Sequence, residues 1–384
     1  MLLFLCLLIS GLYAGLLLYL KRGWNRIKPG KVVVEAPSTR VTVIVVARNE
    51  EKRIQPLLDS LVHQRYPKNL LECMVVDDHS DDGTALLVER YSDRGIRLIR
   101  LTDLPENLPM ISPKKQGITQ AIQATSGSLI VTTDADCKMG PDWIASVVAR
   151  YETERPDMLV MPVRMHGGSG VAAVFQALDF MMLQAITVAF HGLKKPVLCN
   201  GANLAYTREA FESVGGFAGN DHLASGDDLF LLHKITSMPT RKVVYHLSKD
   251  VVVSTLPESG WLAFFRQRIR WGSKTRHYRD GSLLPVLTFV FLYNMILMIG
   301  MVMCMQGCLQ HADRCKDMRI VLGIGFGIKM IAELSLMMPA ARFFNLRKSM
   351  IWFPLMQPLH VGYTVLAGIL SQFRTFTWKG RRLH

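Results

Sequence analysis

The chain has 384 residues, 49% hydrophobic and only 20% charged, with a mean hydropathy of +0.20. That length exceeds one ordinary core, and the balance disfavours both a disordered chain and a fully soluble enzyme; it fits a globular domain with membrane segments attached. The net charge of +14 requires no nucleic-acid partner, because basic flanks of apolar segments and contact with anionic headgroups account for it.

Met1 to Leu20 carries no charge and is followed by Lys21, Arg22, Arg26, Lys28 and Lys31. No basic residue precedes the apolar run and no small-x-small cleavage site follows it, so residues 1–22 read as an uncleaved transmembrane anchor rather than a signal peptide. The basic residues after it place the N-terminus outside and the next domain in the cytosol.

Residues 40–256 read as that domain. Val41 to Val46 is a β-branched run suited to a strand buried on both faces. Arg48 to Lys52 follows, then Ile54, Leu57, Leu58, Leu61 and Val62 at helical spacing. Met74 to Val76 is a second strand, leading through the loop Asp77-Asp78-His79-Ser80-Asp81-Asp82-Gly83 into a helix over Thr84 to Tyr91. Arg97 to Leu101 predicts a strand, Lys114 to Ala124 a helix, Leu129 to Thr133 a strand, and Pro141 to Tyr151 a helix begun by proline. The alternation implies an α/β, doubly wound, mostly parallel sheet, in which ligands bind beyond the carboxyl ends of the strands.

Residues 257–280 read as an interfacial amphipathic helix: Arg266, Arg268, Arg270, Lys274, Arg276 and Arg279 interleave with Trp261, Phe264, Phe265 and Trp271. Residues 281–373 hold two to three transmembrane helices, in the uncharged stretches Gly281 to Gln310 and Met350 to Phe373 and in Ile320 to Ala341, which carries Lys329 and Glu333. That pair, one helical turn apart, reads either as a polar path for a glycan or lipid-linked acceptor or as a structural bridge. Pro354 and Pro358 suggest a broken or re-entrant last segment. Three spans from the cytosol would end outside, whereas Arg374, Lys379, Arg381 and Arg382 in the basic tail 374–384 favour the cytosol. The seven cysteines, Cys6, Cys73, Cys137, Cys199, Cys304, Cys308 and Cys315, form no C-x-x-C pair and fit a reduced compartment. Cys304, Cys308, His311 and Cys315 match no zinc spacing.

Two acidic groups end strands: Asp77 with Asp78, and Asp134 with Asp136. Either could be no more than a capping loop or a solvated turn. Two carboxylates two residues apart at a cleft also present the hard oxygen ligands that Mg²⁺ or Mn²⁺ takes when it bridges phosphates. No G-x-G-x-x-G follows the first strand and no G-x-x-x-x-G-K-[ST] occurs, which disfavours dinucleotide-binding and P-loop domains. A diphosphate would then be neutralised by metal and by Lys114 or Lys115.

From about Val41 to Trp271, some three-fifths of the chain, these elements resemble the family 2 inverting glycosyltransferases of GT-A fold, in the branch of processive polysaccharide synthases. Val41 to Glu50 resembles the first strand and its A-x-N-E-like turn, and Val76-Asp77-Asp78-His79-Ser80 resembles V-D-D-x-S. Lys114-Lys-Gln-Gly-Ile resembles the lysine-led helix near the diphosphate, with Thr119 in place of the commoner asparagine. Thr133-Asp-Ala-Asp136 resembles D-x-D, Gly226-Asp227-Asp228 the motif carrying the base, Asn200 to Tyr206 with Gly215-Gly-Phe217 an acceptor-side segment, and Gln267 to Trp271 the Q-x-x-R-W motif.

The resemblance implies donor contacts from Ala47, Asn49, Glu50, Asp77, Asp78, Lys114 and Asp134. It implies metal ligation by Asp136 with Asp134, a general base in Asp228 beside Asp227, and acceptor or diphosphate contacts from Gln267, Arg268, Arg270 and Trp271. It further implies a membrane-bound enzyme, its domain facing the cytosol of a bacterial inner membrane. That enzyme would transfer a sugar from a nucleotide-sugar, UDP-linked by resemblance, to a growing polysaccharide, with membrane lipids and export or accessory subunits as further partners. Single-sugar transfer to a lipid or lipid-linked acceptor is the alternative, and a non-catalytic membrane scaffold a third reading.

Overall fold

The computed structural model describes residues 2–30, 32–103, 112–220, 226–273, 281, 283–310, 315–373, 376–378 and 381–383. Lys31, Lys274, Arg276, Arg279, His311, Arg374 and Lys379 lie outside the described residues, as do the side chains of Cys308, Cys315, Arg381 and Arg382. The chain divides into a helical unit, Met1–Arg26 with Gly167–Leu193 and Pro257–Arg374, and an α/β unit, Ile27–His166 with Lys194–Leu256 and Thr375–His384.

Along the chain run α1 (Leu2–Arg26), β1 (Val41–Ala47), α2 (Gln55–Val62), β2 (Leu71–Asp77), α3 (Thr84–Glu89), β3 (Ile96–Arg100), α4 (Pro113–Gln123) and β4 (Leu129–Asp134). Then come α5 (Trp143–Glu154), β5 (Met158–Val160), β6 (Val163–Met165), α6 (Gly170–Gly192), β7 (Leu204–Thr207), α7 (Arg208–Ser213), α8 (Asp227–Thr236), β8 (Val243–Tyr245) and β9 (Val253–Thr255). The remainder is α9 (Gly260–Ser273), α10 (Leu283–Gln310), α11 (Cys315–Phe343) and α12 (Phe353–Leu370).

In the α/β unit seven strands form one sheet in the order β3-β2-β1-β4-β7-β5-β8. Its first four strands pair in parallel; β7 runs antiparallel to β4 and β5, so the sheet is mixed but mostly parallel as the alternation implied. β1 is apolar along nearly its whole length and buried, as a strand covered on both faces must be. Helix α4 lies close on β1 and β2 because Gly117 has no side chain: a Cβ there would meet Val46 and Val76 at 3.0 to 3.2 Å. Helix α5 starts at Trp143, two residues later than expected, since Pro141 and Asp142 form the turn ahead of it. Asn203 is fully buried and fully used. It accepts from Trp143 Nε1 at 3.1 Å and donates to the carbonyls of Pro162 and Val251 at 2.8 and 2.7 Å, which anchors the start of β7 in the core.

Among the described residues of the helical unit, five stretches are long and apolar enough to cross a membrane: Phe4–Arg26, Gly170–Gly192, Leu283–Gln306, Met318–Phe343 and Lys348–Leu370. The second of these, α6, was not anticipated from sequence. Helices α1 and α6 touch backbone to backbone where Gly23 faces Gly192, and a Cβ on either would fall on a carbonyl of the other helix. Lys329 and Glu333 are buried and paired at 2.6 Å. Gln357 bonds both, at 2.6 and 2.7 Å, and Tyr13 donates to Glu333 at 2.6 Å. The pair is thus closed on protein partners from α1, α11 and α12, the arrangement of a structural bridge. Pro354 falls in the first turn of α12, where no N–H is needed, and Pro358 is accommodated inside that helix.

His246, in the α/β core, is 1% exposed, and its Nε2 lies 3.1 Å from Ser146 Oγ. Burial, helped by the charge of Arg150, pushes its pKa down from 6.5 to about 4. The unfolded chain therefore binds the extra proton between those values, so stability is complete above pH 6.5 and declines as pH falls to about 4, by about 3 kcal/mol in all. Thermal melts of His246→Gln should show a correspondingly smaller loss between pH 7 and pH 4.5 than the parent protein; identical losses would contradict the assignment.

Candidate active site

The loops after β1 and β2 are laced into one surface. Asp78 N–H donates to the Ala47 carbonyl at 2.8 Å, Asn49 N–H to Ser80 Oγ at 3.0 Å, Glu50 N–H to Thr84 Oγ1 at 2.8 Å, and Asp81 N–H to Asn49 Oδ1 at 2.8 Å. Asn49 takes a left-handed φ of 53°, which asparagine tolerates, and thereby turns the first loop toward the second. Arg48 donates to the Asp78 carbonyl at 2.9 Å. Asp77 and Asp78 are 4% and 1% exposed. Asp77 Oδ2 accepts from the Ser80 amide at 3.3 Å, while its buried Oδ1 has no protein donor.

Asp134 ends β4 at the same sheet edge. Lys114, in the first turn of α4, places its Nζ 2.8 Å from Asp134 Oδ1 and 3.2 Å from Asp227 Oδ2. Burial alone would lower its pKa, but attraction from Asp134, Asp227 and Asp228 overcomes that and holds it well above the usual lysine value. Its neighbour Lys115 does something different: fully buried, it donates to the Asn220 carbonyl and lies over the Phe230 ring, so it faces the core and not a phosphate cleft.

Asp136 accepts from Thr255 Oγ1 at 3.2 Å. Burial first, then the charges of Asp134 and Glu50, push its pKa up to about 6. Its oxygens are of the hard type that Mg²⁺ or Mn²⁺ prefers. Among the described residues no group of three or more acidic, histidine or cysteine side chains is assembled to hold a metal ion, so Asp134 and Asp136 alone make no complete metal site.

The third acidic element opens α8. Gly226 has φ +86°, and a Cβ there would strike the Phe230 ring at 2.5 Å. Helix α8 begins at Asp227, so Asp228 sits within its first turn rather than capping it from outside. Asp228 accepts from the amides of Gly201 at 3.0 Å and Leu229 at 2.8 Å. Gly201 is closely seated: a Cβ would lie 3.3 Å from both Asp227 Oδ2 and Asp228 Cβ.

The structure thus gathers Ala47, Asn49, Glu50, Asp77, Asp78, Lys114, Asp134, Asp136, Asp227 and Asp228 within the α/β unit. Gln267, Arg268, Arg270 and Trp271 belong to α9 of the helical unit. There Arg268 is 5% exposed and paired with Asp179 of α6 at 2.7 Å. Sequence reading missed Thr255 and Asp179. An isolated threonine carries no signal, but an aspartate in an otherwise apolar helix does.

Residues 42–215 match the profile described as glycosyl transferase family 2. Over that stretch the chain is similar to the family 2 glycosyl transferases. It is similar to the glycosyltransferase AglE of Haloferax volcanii, 27% identical over 51% of this chain and 61% of that one. It is also similar to the β-monoglucosyldiacylglycerol synthase of Trichormus variabilis, 29% identical over 60% and 48%. The chain therefore spans half to three-fifths of the length of these curated relatives. Among solved structures it is similar to the mannosyltransferase PcManGT of Pyrobaculum calidifontis in complex with GDP-Man and Mn²⁺, with TM-score 0.55 and 20% identity over 97% and 99% of the two chains. That likeness shows a fold of GT-A type.

Lys114 is the counter-ion shared by two of the three acidic elements. Lys114→Met should destabilise the domain by about 1–2 kcal/mol at pH 8, a value kept small because solvent screens the 40% exposed Asp134. The deficit should shrink as pH falls through the carboxylate range. A denaturation series showing no deficit, or one independent of pH, would remove Lys114 from this role.

Proposed function

We propose that the protein is a membrane-bound, metal-assisted inverting glycosyltransferase that takes a sugar from a nucleotide-sugar donor. The observation that carries this reading is Lys114 bridging Asp134 and Asp227, which joins the D-x-D turn to the acidic start of α8 at one edge of the sheet. Two similar proteins support it, one solved in complex with GDP-Man and Mn²⁺ and one named a glycosyltransferase.

Ala47, Asn49, Glu50, Asp77 and Asp78 hold the nucleoside, the unpartnered Asp77 Oδ1 accepting from a donor on it. Lys114 orients the diphosphate, Asp134 contacts the ribose or the metal, and Asp136 with Asp134 would ligate Mg²⁺ or Mn²⁺, which when bound offsets charge gathering on the leaving diphosphate. Asp228, aimed by the amides of Gly201 and Leu229, takes the proton of the acceptor hydroxyl as its oxygen attacks the anomeric carbon and the bond to the diphosphate breaks on the opposite side. Asp227 balances Lys114. Gln267, Arg270 and Trp271 contact the acceptor or the diphosphate, Trp271 offering a flat face to a sugar ring.

The Q-x-x-R-W motif favours a growing polysaccharide as acceptor, and the basic residues after α1 favour a cytosolic domain at a bacterial inner membrane. Single-sugar transfer to a lipid is the second reading, favoured by the likeness to the monoglucosyldiacylglycerol synthase. Purified protein given labelled UDP- and GDP-sugars with Mn²⁺ separates them by product, long chains in one case and a one-sugar glycolipid in the other. Asp228→Asn should cut kcat by about 10²–10⁴-fold while donor affinity is retained. Equal nucleotide release by both proteins would remove Asp228 as the base.

A further inference from the structure

Within the helical unit the residues of the Q-x-x-R-W motif are not free side chains on an amphipathic helix. A closed polar circuit holds Gln267 and, beside it, Arg268 at one of the motif's unspecified positions. Gln176 of α6, fully buried, donates to the Glu258 carbonyl at 3.0 Å and accepts from the Glu258 amide at 2.9 Å. Glu258 Oε1 accepts from Gln267 Nε2 at 2.8 Å, and Gln267 Oε1 accepts from Arg268 at 2.8 Å. Arg268 then donates through Nε and a terminal nitrogen to Asp179 Oδ2 at 2.9 and 2.7 Å. Asp179 stands three residues from Gln176 on the same face of α6, so the circuit returns to the helix where it began.

Arg268 also has an aromatic half. Its guanidinium carbon lies 4.2 Å from the Trp271 ring centroid and 4.7 Å from that of Phe264, and Trp271 is flanked by Phe180 of α6 at 6.1 Å. One planar cation therefore touches Gln267 by hydrogen bond and Trp271 by stacking. His360 of α12 approaches the other Asp179 oxygen at 3.9 Å. Gln267 and Trp271 remain partly exposed while Arg268 between them is buried.

We infer that Arg268 and Asp179 are positioning residues that preset Gln267 and Trp271 for an acceptor, rather than groups that touch substrate themselves. The inference rests on the proposed transferase reading for what the preset groups do, but the preset geometry has its own readout. A solvent-exposed glutamine and tryptophan on a helix would sample several rotamers. Holding both from one buried ion pair removes that freedom before the acceptor arrives, and misplacement of positioning groups by about 1 Å can cost on the order of 10²-fold in rate.

The test uses the full chain labelled with 5-fluorotryptophan, the Trp271 ¹⁹F resonance being assigned with Trp271→Phe. Losing one charge alone strands the other in a buried site, so the decisive variant is the double change Asp179→Leu with Arg268→Met, which removes both and should keep the thermal midpoint. It should nevertheless shift or broaden the Trp271 resonance, and reduce transfer from UDP-glucose or GDP-mannose by about 10²-fold with the donor dissociation constant unchanged. Arg268→Lys, which keeps the ion pair but loses the stacking plane, should show the same spectral change in smaller degree. A double variant with unaltered Trp271 resonance and unaltered transfer would overturn the inference, leaving the pair as a stability element. A wild-type protein that transfers nothing from either donor, yet whose Trp271 resonance responds as described, would sink the transferase reading and leave the clamp standing.

Discussion

The parallel register of β1 with its two neighbours is the constraint from which the site follows. Ala47 pairs with Asp77 and Val46 with Asp134, so with strands about 4.8 Å apart three chain segments leave the sheet side by side and must share the same space. An all-apolar strand buried on both faces does not specify that register by alternation, because a slip of one residue exchanges one apolar face for another. Polar pins at the opposite end supply it. Buried Thr42, paired with Glu72 across β1 and β2, lies 2.5 Å from Thr125 Oγ1, and Thr125 donates to Glu72; Gly127 leaves room for Thr42 to approach. A threonine at the start of a β-branched run thereby determines which residues emerge together far along the strands.

Bringing the strand ends together concentrates acid. Asp77 and Asp134 end β2 and β4, Asp78 and Asp136 follow them, and Asp227 and Asp228 open α8; like charges so arranged repel unless countered. The protein counters part of the charge with fixed cations. Arg48 serves the β2 loop and Lys114 serves Asp134 with Asp227. Asp136 is left with burial and two acidic neighbours against it. Within one edge, then, the carboxylates differ in how far the protein itself has neutralised them. Asp136 is the one whose burial and acidic neighbours oppose its charge.

Much of this was legible in the sequence because the signals were local. The strands from β1 to β4, the helices between them and the acidic loops at strand ends all follow from β-branched runs, helical spacing and turn residues. Lys115 was not legible: adjacent lysines at a helix start look alike in sequence, and only the side of α4 that meets Phe230 and Asn220 distinguishes the buried one from Lys114. Thr255 and Gly201 approach Asp136 and Asp228 from more than a hundred residues and from 27 residues away respectively, and nothing near either position announces a partner.

Helix α6 escaped for a different reason, and the reason bears on its role. It lies within the sequence of the α/β domain, flanked by β6 and β7, where an apolar stretch passes for core. Its 23 residues also include Gln176, Asp179 and Gln184, all buried, which make it look less like a membrane span than α1 or α10. Buried polar groups in an apolar helix are costly unless partnered. Two of these three are partnered by the segment that leads into and forms α9. The residues that disguise α6 in a hydropathy profile are therefore the ones that bind it to Gln267 and Arg268. Replacing Gln176 and Asp179 by leucine would make the helix easier to recognise as a candidate span while removing the contacts that tie it to α9 and the segment before it.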